Sequence, residues 1–154
     1  IKLQQIPPKA IYLDNIADPG NMGTLIRTAA WFGIESVFLS PNCVDIFNSK
    51  TMRSAMGAHF YFKQLSTASP NTILSKYRGS NISVLAGDMG GDPLYTLDIK
   101  NNKWIFILGS EANGISSSIY PYVTKRITIP GRDSMESLNV AVAAGIILHH
   151  LTSG

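Results

Sequence analysis

Trp104-Ile105-Phe106-Ile107-Leu108 is followed at once by Gly109-Ser110-Glu111-Ala112-Asn113-Gly114. A short, unbroken apolar run that stops at small and turn-forming residues reads as a strand buried on both faces. Such runs belong to the centre of parallel sheets, where helices cover both sides. Ala10–Asp14, Ser36–Leu39 and Ile82–Ala86 before it, and Arg126–Ile129 after it, read the same way. Between them the spacing predicts helices over Met22–Phe32, Ser49–Met56 and Pro70–Tyr77. The first would have Asn21 as N-cap and stop at Gly33, the second would stop at Gly57, and the third has Pro near its start. Phe60–Phe62 reads as a further short strand and Gly90-Gly91-Asp92-Pro93 as a turn.

A last helix is expected from about Ser134 to Leu151, opened by Asp133 and Glu136 in the manner of a capping box. Its apolar positions Leu138, Ala141, Val142, Gly145 and Leu148 fall on one face. Strands separated by helices define an α/β fold built on a parallel sheet.

The totals agree with one domain over residues 1–154. Hydrophobic residues make up 45% and charged residues 15%, as in a compact globular chain. The net charge of +3 permits a nucleic-acid partner without demanding one. The single cysteine, Cys43, has no second cysteine for a disulfide or a zinc pair, so a reducing, cytoplasmic setting is the simplest reading. His59, His149 and His150 lack metal-ligand spacing, and no metal is expected. The longest apolar run, Val140 to Leu148, is far short of the ~20 residues a membrane span needs, and no membrane association is expected. The chain opens at Ile1, so an upstream segment, either a processed end or a whole domain, is expected.

Ligands in open α/β sheets bind beyond the carboxyl ends of the strands. Three such places carry unusual residues. The first is Asp14 to Gly23, followed by Arg27 on a polar face shared with Thr24, Thr28 and Trp31. A cation one turn inside a helix N-terminus can hold an anion such as phosphate. A plain turn with a solvated arginine is the blander account of the same residues. The second is Leu108 to Ile115. Gly109 and Gly114 have P-loop-like spacing, but Ile115 stands where the phosphate-binding lysine must be, and no G-x-G-x-x-G follows any strand. Glu111 reads either as an acceptor or base near a ligand, or as an acid favoured by a helix dipole. The third is Ile129-Pro130-Gly131, then Ser137-Leu138-Asn139, which could equally be ordinary helix-start chemistry.

In order, these clusters resemble the three motifs of the SpoU-type 2′-O-ribose RNA methyltransferases of the SPOUT superfamily. The matching residues are Asn21-x-Gly23-x3-Arg27-Thr28-Ala29, Leu108-Gly109-Ser110-Glu111-x2-Gly114, and Ile129-Pro130 with Ser137-Leu138-Asn139-Val140. Arg53-Ser54-Ala55-Met56-Gly57-Ala58 resembles a family segment between the first two, and the likeness spans roughly residues 11–151. Ala112-Asn113 and Gly131 depart from the family pattern, which often has glycine after the glutamate and methionine after the proline.

The resemblance implies a C-terminal trefoil knot whose loops hold S-adenosylmethionine, largely through backbone. By motif position the cofactor residues would be Gly109, Ile129 and Leu138, with Leu108, Pro130, Ala86 and Gly87 nearby. It implies a homodimer formed through the final helix, and ribosomal or transfer RNA as substrate. Many relatives carry an N-terminal RNA-binding domain. Arg27 would be the key catalytic group, oriented with the ribose by Asn21, Glu111, Ser137 and Asn139. A guanidinium stays protonated in proteins, so Arg27 would hold an RNA phosphate and orient the ribose hydroxyl, with Glu111 the rival base. Lys50, Arg53 and Arg132 would line a phosphate track. Two other readings remain at this stage: a non-catalytic RNA-binding module, and a SPOUT enzyme methylating a base.

Overall fold

A computed structural model describes residues 6–99, 102–132 and 138–153. Six strands form one sheet: β1 (Lys9–Asp14), β2 (Ser36–Leu39), β3 (Gln64–Thr67), β4 (Ser83–Pro93), β5 (Trp104–Gly109) and β6 (Lys125–Thr128). Their spatial order is β3-β2-β1-β5-β4-β6, and every pairing is parallel. The apolar run Trp104–Leu108 is central, between β1 and β4, and is buried along its length. Trp104, Phe106 and Leu108 enter the core on one face of the sheet, and Ile105 and Ile107 that on the other. This is the period-2 alternation of a strand covered on both sides.

The helices are α1 (Pro19–Trp31), α2 (Ser49–Ala55), α3 (Pro70–Leu74) and α4 (Val140–Thr152). Helix α1 buries Met22, Leu25, Ile26 and Ala29 and exposes Thr24, Arg27 and Trp31, as its sequence pattern requires. It starts earlier than expected. Asp18, not Asn21, is the N-cap, and its carboxylate accepts from the Asn21 amide at 2.7 Å. Pro19 fits the first helical position because its missing N–H would have no partner there.

Four further expectations are corrected. Phe60–Phe62 is not a strand: Ala58–Tyr61 form a 3-10 turn, and the edge strand follows at Gln64–Thr67. Only Pro70–Leu74 of the expected third helix is α-helical, and Ser75–Tyr77 tighten to a 3-10 turn. Gly90-Gly91-Asp92-Pro93 is no turn but the end of β4, which shifts register between Gly87 and Asp92 against β6. Gly91 permits this, since a Cβ there would lie 2.6 Å from the Arg126 carbonyl carbon and the Ile127 amide. Lastly, α4 begins at Val140, with Asn139 as N-cap. It buries Val140, Ala141, Ala144, Ile147, Leu148 and Leu151, leaving Leu138, Val142 and Ile146 substantially exposed. The proposed Asp133–Glu136 capping box lies outside the described residues.

Candidate active site

The carboxyl ends of β1, β5, β4 and β6 lie side by side, because Asp14 pairs with Gly109 and Gly87 with Ile127. Each strand therefore delivers its following loop to one rim of the sheet. There a cavity of about 820 Å³ opens, lined by Gly87, Leu108, Gly109, Ile129, Pro130 and Leu138. These are six of the seven expected cofactor residues. Ala86 is the exception: it is fully buried and packs into the core on the opposite side of the sheet. Asp88, Ser110, Asn113 and Thr128 add polar groups, while Ile115, Val140 and Ile147 supply apolar wall. The size and the mixture suit a small organic ligand.

The bend after β5 is built backbone against backbone. The Gly114 amide donates to the Ser110 carbonyl at 2.8 Å, and the Asn113 amide to Ser110 Oγ at 3.1 Å. A Cβ on Gly109 would lie 2.3 Å from the Gly114 carbonyl carbon and oxygen. Gly109 is thus required first by the loop itself, and only through it by a ligand. Gly114 has φ +64°, a conformation that favours glycine, which the Ala112-Asn113 departure leaves intact.

Two side chains tie the three segments together at the start of α4. Glu111 Oε1 accepts from the Val140 amide at 2.9 Å. Asn139 Oδ1 accepts from the amides of Ala141 and Val142 at 2.9 and 3.2 Å. Three orphan donors of the first turn are thereby satisfied. Asn139 Nδ2 then donates to Asn21 Oδ1 at 3.1 Å, linking α4 to the first turn of α1. Of the expected catalytic set, Asn21, Glu111 and Asn139 meet here. Ser137 lies outside the described residues. Arg27 stands on the exposed face of α1, does not line the cavity and forms no ion pair among the described residues.

The three expected RNA contacts separate. Arg132 is exposed at the cavity wall, whereas Lys50 and Arg53 lie exposed on α2. Helix α2 is nonetheless locked to α1. Ser54 Oγ donates toward the Pro19 carbonyl at 3.4 Å, and a Cβ on Gly23 would meet Ser54 Oγ at 1.7 Å and the Thr51 carbonyl oxygen at 2.7 Å. Only glycine at position 23 lets the helices approach this closely, which accounts for two of the quoted segments through one contact.

The profile of the SpoU rRNA methylase family matches residues 8–149. This chain belongs to that family. It is 32% identical over 143 residues to the 23S rRNA (guanosine(2553)-2′-O)-methyltransferase RlmP of Bacillus subtilis, covering 93% of this chain and 57% of that protein. It is 31% identical over 158 residues to the mitochondrial rRNA methyltransferase 1 of Schizosaccharomyces pombe, covering 96% and 52%. The AdoMet-bound rRNA methyltransferase from Sinorhizobium meliloti superposes with a TM-score of 0.86 at 28% identity, covering 96% of this chain and 56% of that one. The chain spans about half the length of the curated relatives it matches.

This SpoU-family chain also has a polar cluster that its sequence did not reveal. Asp88, in the register shift of β4, accepts from Tyr120 Oη, from Arg126 Nε at 3.1 Å and from the Gly90 amide at 2.8 Å. Arg126 Nη2 closes an ion pair with it at 3.1 Å. Burial pushes the Asp88 carboxyl up, but the hydrogen bonds from Tyr120, Arg126 and Gly90, with the Arg126 charge, outweigh it and hold the pKa below the ordinary carboxylate value. Asp88 and Tyr120 both line the cavity, so this cluster fixes one wall. The available signal was Gly87-Asp88 at a strand end. Its partners lie 32 and 38 residues away, which no local pattern reports.

Proposed function

We propose that the protein is an S-adenosylmethionine-dependent RNA methyltransferase acting on a ribose 2′-hydroxyl of ribosomal or transfer RNA. One observation carries this reading: residues 87–89 of β4, the segments after β5 and β6 and the start of α4 enclose one cavity, and Asn139 joins that cavity's rim to Asn21. S-adenosylmethionine bound there would supply a methyl group on a positively charged sulfur, which needs neither acid nor metal to leave. Leu108, Ile129 and Leu138 would hold its apolar parts, and the backbone of the Gly109 and Pro130 bends its polar edge.

The remaining work is alignment, worth roughly 7–11 kcal/mol in a well-oriented displacement. Asn21 and Asn139 would set the position of the ribose, and Ser137 would join them. Arg27 would hold an RNA phosphate and orient the hydroxyl, with that phosphate as proton acceptor. Glu111 would position α4 rather than take the proton, since Oε1 is engaged by the Val140 amide. Arg132, Lys50 and Arg53 would contact phosphates farther along the strand.

Arg27 lies away from the cavity wall within one chain, beside the exposed Trp31, and α4 exposes Val142 and Ile146. We assign this apolar surface to a homodimer, in which a second copy would cover it and enclose Arg27 in a cleft. A cytoplasmic setting fits the lone Cys43. Among the described residues no helix is long and apolar enough to cross a membrane.

The test is transfer of a tritiated methyl group to RNA lacking its own modification, with the product mapped by nuclease digestion and mass spectrometry. The expected product is a 2′-O-methyl ribose, and Arg27→Ala should bind cofactor normally but lose transfer. A methylated base, or near-normal turnover by Arg27→Ala, would overturn the assignment.

A further inference from the structure

Four of the large apolar side chains left exposed fall within one short stretch: Phe47 (67% exposed), Met56 (68%), Phe60 (84%) and Tyr61 (77%). Isolated exposed apolar residues need no explanation, but four within fifteen residues, two of them adjacent rings on one turn, do. The group is held on a rigid base. Ala58 and His59 are buried beneath the 3-10 turn that carries Phe60 and Tyr61. The His59 ring packs against Phe47 at 5.6 Å between centroids, and its Nε2 is 2.6 Å from the Ile46 carbonyl oxygen. Gly57, at φ +78°, makes the sharp exit from α2 that projects the turn.

The charges around it are mainly basic, with exposed Asp45 at one end accepting from the Phe47 amide at 2.9 Å. Residues 46–63 contain Lys50, Arg53 and Lys63 and no acid. Lys63 is paired with Glu35 at 3.0 Å, whereas Lys50 and Arg53 form no ion pair among the described residues. They are one turn apart on α2, and Met56 caps that helix one turn farther on. Helix α2 is locked to α1 through Ser54 and Gly23, so this surface keeps a fixed relation to Asn21.

We infer that Phe60 and Tyr61, with Phe47 and Met56 beside them, form a stacking platform for unpaired nucleobases of an RNA strand, whose phosphates are met by Lys50 and Arg53. The inference rests on the reading of this protein as an RNA-modifying enzyme. Rings with free faces next to cations match the two surfaces a single strand offers, its base planes and its phosphates. Paired bases hide those planes inside the duplex, so the platform discriminates unpaired from paired RNA. An acidic protein partner would satisfy the cations but not the rings.

Fluorescence anisotropy with a labelled oligouridylate of about 12 nucleotides, and with an RNA duplex of the same length, tests this. The wild-type protein should prefer the single strand. Phe60→Ala and Tyr61→Ala should each weaken its binding by about 10-fold, whereas Tyr61→Phe should not. The salt dependence should stay as in wild type for the ring variants and fall by about one phosphate contact for Lys50→Ala or Arg53→Ala. Tyr61→Trp gives a second readout, because a base stacked on the indole quenches its fluorescence. All these side chains are exposed, so folding should survive the substitutions. Unchanged strand binding by both alanine variants would overturn the platform. So would a shift of those variants to a smaller species in sedimentation, which would make this face a contact between protein copies. A wild-type protein that grips the strand through these rings yet methylates no RNA would instead defeat the activity proposed above and leave the platform standing.

Discussion

The amide of Asn139 is divided between two helices: its oxygen caps α4, and its nitrogen donates to Oδ1 of Asn21 at 3.1 Å, 118 residues away in sequence. Removing either partner should therefore have different consequences. Asn139→Ala loses cap and link together and should lower stability by about 1 kcal/mol. Asn21→Ala loses only the link. We predict that it melts within ~0.5 kcal/mol of wild type, as expected for a side chain outside the core, while methyl transfer falls at least about 10-fold. Thermal denaturation beside tritiated-methyl transfer separates the two, and equal melting losses for both variants would contradict the division.

Glu111 gives a sharper test of role. As a cap for the Val140 amide it needs an oxygen acceptor, which Gln also offers; as a general base it needs a proton-accepting carboxylate. Loss of a base typically costs about 10²–10⁴-fold in rate. We predict that Glu111→Gln keeps transfer within a few-fold at each pH, whereas Glu111→Ala loses it and loosens α4. A pH–rate profile of the Gln variant that collapses by orders of magnitude would make Glu111 the base.

Gly23 should resist even the smallest substitution. The added methyl of Gly23→Ala collides with Ser54 Oγ and with the Thr51 carbonyl oxygen, which is backbone and cannot rotate away. Overpacking of this kind costs about 1–3 kcal/mol. Ser54→Ala should restore only part of it, because the Thr51 contact persists. Chemical denaturation of the single and double variants measures the coupling. Additive losses would show that the two helices are not locked at this point.

Gly109→Ala should act through the loop. The methyl would enter the Gly114 backbone, so the bend must open and the cavity wall move with it. Calorimetry should show S-adenosylmethionine affinity weakened by more than about 10-fold, since a group misplaced by an ångström loses its contacts. Gly87→Ala, whose Cβ would meet only the side-chain tips of Phe106 and Leu108 at 3.3–3.5 Å, should fold normally. Wild-type affinity in Gly109→Ala would remove this bend from the site.

Asp88 sets a pH dependence. Its folded-state pKa is held below the ordinary value, so its contribution to stability is fully present above about pH 5. It is lost as pH falls below about 4 and through the folded-state pKa, where the carboxylate takes up a proton. The stability gap between wild type and Asp88→Asn should therefore be constant near neutrality and shrink in acid. A gap that grows as pH falls would have the wrong sign for this cluster.

The sequence by itself determined the parallel sheet, its central strand Trp104–Leu108 and the face that α1 buries, because these follow from the period of apolar residues within one segment. Its motif resemblance also picked out six residues that line one cavity, and Gly and Pro at strand ends announced the bends there locally. Only the tertiary structure decided which side of α4 is buried. The spacing pointed to Leu138, Ala141, Val142, Gly145 and Leu148, yet Leu138 and Val142 are exposed, because the helix is apolar nearly all round and its packing on α1 and the sheet selects the face. The same holds for β4, which runs on through a glycine-rich stretch because β6 is there to pair with it. Likewise Glu111, Asn139 and Asp88 take their roles from partners far along the chain. A hydrogen bond made across the fold leaves no trace in the spacing of neighbours, so only the assembled backbone assigns it.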